Sequence, residues 1–84
     1  MPYIKQYSRD ELDPLIEDLT KQIGRIGDLN YVITSLLIDY AGDNPRYKDY
    51  NELIGVLECA KLEFYRRAVS SYEDEKCYDE GDVY

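Results

Sequence analysis

Glu58, Cys59 and Lys61 bring a carboxylate, a thiol and an amine within one turn of a single stretch of an 84-residue chain. A cysteine thiolate can attack an electrophilic carbon when a neighbouring base has taken its proton. The chain has no histidine, which removes the commonest general base and the commonest metal ligand together. Lys61 lies two positions from Cys59, so on a helix the two point to different sides. Cys59 therefore reads as a small structural hydrophobe rather than a nucleophile. Lys61 falls inside an apolar arc, with Glu58 one turn before it. That spacing suits a snorkelling lysine in an i,i+3 ion pair. The alternative is a polar site built on Glu58 and Lys61, which would serve a small enzyme.

Metal and phosphate chemistry find little support. Asp39 and Asp43 flank a turn, and Asp79, Glu80 and Asp82 surround Gly81, but neither set has the spacing of a calcium-binding loop. A weak calcium site in the tail is the one metal alternative. There is no Glu-x-x-Glu pair of the kind magnesium-dependent helical nucleotide hydrolases use. Nor is there a glycine-rich phosphate loop. The expectation is no cofactor, no metal and no catalytic residues.

The net charge is −8, of which residues 73–82, "EDEKCYDEGD", contribute −5. Nucleic-acid binders need a basic footprint, and this chain lacks one. Its acidity favours solubility and opposes binding to anionic membranes. No stretch approaches the length of a membrane span. With no apolar secretory segment at the start, a cytoplasmic protein with free thiols is expected. Were Cys59 and Cys77 on one helix, they would lie about 27 Å apart, beyond disulfide reach.

The elements that position these residues read as helices. The set Leu12, Leu15, Ile16, Leu19, Ile23 and Ile26 keeps helical spacing. Ser8 and Glu11 match a capping box, but Pro14 favours Asp13 as the N-cap and Pro14 as the first helical residue. Gly24 and Gly27 would end this helix. A second helix is predicted from Asp28 as N-cap, with Leu29, Val32, Ile33, Leu36, Leu37 and Tyr40 as its stripe. "GDNPRY" is a turn. The third helix, about 49–69, is the longest. Tyr50, Leu53, Ile54, Leu57, Ala60, Phe64, Tyr65, Ala68 and Tyr72 share its main side. Ser70 and Glu73 are spaced as a second capping box, so a break near Ser70 and a short fourth helix to about Tyr78 are predicted. The first seven residues read as irregular or a short strand, and residues 79–84 as an extended acidic tail. The expectation is one all-α domain over 1–84, a small bundle of three main helices with the third at its centre.

On the other side of that third helix, Gly55, Cys59, Leu62 and Arg66 form a strip with two small residues one turn apart. Glycine in a helix interior costs about 1 kcal/mol relative to alanine, so a packing reason is expected. A close-approaching helix is preferred over a ligand lying on the backbone, by analogy with small-residue contacts in membranes. Glu63 and Arg67 form an i,i+4 pair. Arg46 and Lys48, or Arg66 and Arg67, could receive the acidic tail. The ten tyrosines, with one phenylalanine and no tryptophan, suit core rims and interfaces alike.

The blocks "MPYIKQ", "GDLNYVIT", "IGVLECAKLEFYRR", "YEDEK" and "GDVY" span nearly the whole chain. Together they resemble a family of short, uncharacterised proteins of phages and other prokaryotic genomes. The resemblance implies no reaction, ligand or catalytic residue. Family members commonly have Pro-Tyr-Glu-Asp where this chain has Ser71, Tyr72, Glu73 and Asp74, and a proline there suits a helix start. They also close on Glu-Asn-Gly-Asp-Val-Tyr, against "DEGDVY" here.

A chain this short buries only about 60–65% of its unfolded surface, so its stability margin is thin. The expected role is a non-catalytic interaction or assembly protein, and a homodimer. The competing idea is an acidic decoy that imitates DNA toward a host DNA-binding protein.

Overall fold

The structure is a computed structural model that describes residues 3–84. It is all-α, with three main helices and a shorter fourth. In chain order these are α1 (Gln6–Gln22), α2 (Ile26–Ala41), α3 (Tyr47–Phe64) and α4 (Ser70–Glu80), with a π turn at Tyr65–Val69 joining α3 to α4. One unit takes the described residues up to Tyr50, and the other is Asn51–Tyr84. The expected irregular start lies partly outside the described residues. Residues 3–5 are non-helical, and Gln6 and Tyr7 already belong to α1.

α1 begins earlier than Asp13. Its N-cap is Lys5, whose extended backbone accepts Ser8 N–H at 3.1 Å and Arg9 N–H at 3.2 Å. Ser8 is therefore inside the helix, and the Ser8–Glu11 box does not form. Pro14 is internal rather than initial. It removes the N–H owed to the Asp10 carbonyl, a cost of about 3 kcal/mol in an isolated helix. The preference that proline imposes on its neighbour is a bias, and eight helical residues upstream of it outweigh the bias here. The helix ends at Gln22, and Ile23 donates to the Thr20 carbonyl at 3.1 Å.

α2 also starts earlier than expected. Arg25 is the N-cap, and Gly27 is helical rather than a terminator. Asp28 caps from three positions inside. Its carboxylate accepts the N–H of Arg25 at 3.2 Å and of Gly24 at 3.3 Å. α3 repeats the device, with Asp49 accepting Arg46 N–H at 2.9 Å. In both helices an aspartate in the first turn satisfies an otherwise orphaned donor and meets the positive end of the helix dipole. At the other ends, Gly42 (φ 78°) and Gly81 (φ 89°) take backbone conformations that residues with a Cβ avoid, and stop α2 and α4. α4 keeps Asp79 and Glu80 helical, so the non-helical tail is 81–84.

Within each unit no described residue is buried. In the first unit, α1 and α2 do not pack against each other. Their apolar stripes stand open, with Leu15 64% and Leu36 58% exposed. Val32 and Leu37 reach only half-burial. In the second unit, Leu53 and Leu57 are half-buried. Isolated helices of this length are marginal in water, and most helical stability comes from burying an amphipathic face.

Candidate interaction surface on the long helix

The helical run from Tyr47 to Glu80 carries Gly55, Glu58, Cys59, Lys61, Leu62 and Arg66. Gly55, Cys59, Leu62 and Arg66 line one strip of it. A Cβ built on Gly55 would meet nothing within 4 Å. Cys59 is exposed and free, and Leu62 is 57% exposed. Nothing in the strip's own unit uses the missing side chain of Gly55. Cys77 is also free and exposed, 18 residues farther along the same helical run.

Glu58 and Lys61 meet at 3.0 Å as an i,i+3 pair, each side chain more than half exposed. Such solvated pairs contribute a few tenths of a kcal/mol. Glu63 is the better-screened acid, its side chain 23% exposed. One of its carboxylate oxygens accepts both Arg66 Nη2 at 2.6 Å and Arg67 Nε at 3.0 Å. Arg66 thus links the strip to the start of the π turn.

Beyond the turn lies the contact that sequence spacing missed. Tyr65 donates its hydroxyl proton to Glu73 Oε1 at 2.6 Å, eight residues away. The second capping box is absent: Val69 precedes α4 in helical conformation with no side-chain cap, and Glu73 is engaged by Tyr65 instead. Next to it, Lys76 Nζ lies 5.9 Å from the Tyr72 ring centre and 3.5 Å from Glu80. The hydrogen bond to Glu73, then the charge of Glu73, raise the Tyr65 phenol above its ordinary value. The protonated phenol is the form the fold holds. Its contribution is therefore full below the unfolded value of about 10 and is lost as pH rises through the higher folded value. Glu73→Ala is expected to return the Tyr65 ionisation toward about 10, read by NMR titration of ring-labelled tyrosine.

The tail has its own local order. Asp82 accepts Tyr84 N–H at 3.3 Å. That bond first, then the Cys77 thiol and the Val83 amide, hold its carboxyl below the usual range. The contribution of these contacts is lost only as pH falls through that lowered value.

The described residues also form surface depressions. One lies on α2 among Ile26, Gly27, Leu29, Asn30 and Ile33. Another lies on α4 and the tail, among Glu73, Cys77, Gly81 and Val83. Among the described residues no three acidic or cysteine side chains cluster closely enough to hold a metal ion. No described helix is long and apolar enough to cross a membrane.

The model of a domain of unknown function, DUF6899, matches residues 1–83. No curated protein and no solved structure matches the chain.

Proposed function

The chain belongs to the DUF6899 family, and we propose that it is a non-catalytic assembly protein that completes its core by pairing with a second copy of itself. One observation carries this reading: four helices are formed while no described residue is buried within either unit. Burying apolar surface stabilises by roughly 25 cal/mol per Å², and without it the backbone entropy of ordering these helices has no counterweight. The uncovered surface is apolar on α1, α2 and α3 alike, which suits an obligate partner better than a transient one. The tyrosines fit this role, since a ring can be covered while its hydroxyl stays wet.

Within this reading the Gly55–Cys59–Leu62–Arg66 strip and the apolar side of α3 are both covered, which places α3 at the centre of the assembly. Glu58 and Lys61 form a surface ion pair. The decoy alternative gains less support, because Glu73 and Asp82 are already engaged within the chain. Light scattering on the purified protein is expected to give twice the 9.9 kDa chain mass. A single-chain mass at every concentration at which the helices are formed would overturn the proposal.

A further inference from the structure

The long helix changes register once. Ser70 donates its backbone N–H to the Tyr65 carbonyl, five residues back, where a regular α-helix would use Arg66. A π turn spends one extra residue, so everything beyond it lags by about 100°. On a regular helix the α3 stripe centred on Leu57 would continue through Ala68, Glu75 and Asp79, all within about 40° of Leu57. With the extra residue consumed, those places pass to Val69, Lys76 and Glu80, and Tyr72 comes within about 40° of Leu57. Val69 is half-buried in this arrangement, and the Tyr72–Lys76 contact lies on the continued stripe.

The Tyr65–Glu73 bond depends on the same shift. Residues eight apart lie about 80° apart around a regular helix, but only about 20° apart when one residue is spent in the turn. The 2.6 Å contact therefore closes across the turn only while the turn is present.

We propose that residues 65–69 are a register switch, latched by the Tyr65–Glu73 hydrogen bond. The latched state continues the α3 stripe with Val69, Tyr72, Lys76 and Glu80. The released state turns α4 by about 100° and puts Glu75 and Asp79 there instead. One helix can thus carry Tyr72 and Lys76, with Glu80, on that stripe, or Glu75 and Asp79 there without a cation. The switch is a property of the single chain and does not rest on the assembly reading.

Hydrogen-bond scalar couplings in the labelled full-length protein test it. In the unaltered chain Ser70 N couples to the carbonyl carbon of Tyr65. In Tyr65→Phe and in Glu73→Ala the coupling is expected to move to the carbonyl of Arg66. Glu73→Gln, which keeps an acceptor oxygen, retains the original coupling. A Ser70 coupling that stays at position 65 in Tyr65→Phe overturns the proposal, as does a coupling to Arg66 in the unaltered chain. Deleting Ala68 gives a second readout that does not depend on those variants folding. It removes the extra residue, makes the helix regular, and is expected to preserve close ring-to-Glu73 contacts from Tyr65 in nuclear Overhauser spectra. Loss of those contacts on deletion would also overturn it.

Discussion

Leu36→Asp is expected to abolish cooperative folding at ordinary temperatures, and Leu15→Asp to do the same. In the single chain both leucines are more than half exposed. A leucine that remained so could become aspartate within about 0.5 kcal/mol, as surface substitutions usually do. If a second copy covers the stripes, the variant loses the burial of a leucine, about 1.5–3 kcal/mol. It must also place an unpaired carboxylate in an apolar contact, which adds several kcal/mol. The sum rivals the whole stability of a domain this size, about 4–13 kcal/mol at typical values per residue. Circular dichroism separates the outcomes. A melting curve within a few degrees of the unaltered protein would mean that these faces stay in water.

Gly55 offers a test with opposite signs. The space where its Cβ would stand is empty in the chain, and its helical position gives alanine an advantage of about 1 kcal/mol. A lone helix predicts that Gly55→Ala raises the melting temperature by roughly 4–8 °C, using the entropy typical of a small domain. A strip closed by a neighbouring backbone predicts the reverse. There Gly55→Ala lowers the melting temperature, and Gly55→Leu separates the copies. Over-packing in a tight contact typically costs 1–3 kcal/mol. Stabilisation by alanine, with unchanged mass in the leucine variant, would remove the strip from any interface.

The helices were legible because their stripes repeat at helical spacing. The residues of α2 from Leu29 to Tyr40 and of α3 from Tyr50 to Phe64 show this plainly. Their starts were less legible. Asp28 looked like an N-cap because aspartate often is one, yet it works from inside the first turn, as Asp49 also does. The two stretches Arg25-x-x-Asp28 and Arg46-x-x-Asp49 share that spacing, which is the signal that could have placed both starts. Pro14 misled for a related reason. It marks a helix start strongly on average, but one missing hydrogen bond does not stop a helix already formed upstream.

The π turn left no compositional trace. Tyr65–Val69 contains ordinary helix-compatible residues, and the extra residue shows itself only through contacts such as Tyr65 to Glu73. A wheel drawn at a constant 100° puts that pair out of phase, so the contact could not be found that way. The same wheel leaves out Val69, which the turn brings round. For the strip through Gly55 and Cys59, spacing alone located the residues, and a partner surface is what would explain them.

The most direct test is thermal unfolding of the unaltered protein across a hundredfold range of concentration. Self-association predicts a melting temperature that climbs with concentration, because mass action favours the paired state. A melting temperature that does not move over that range, together with a single-chain mass, would contradict the account.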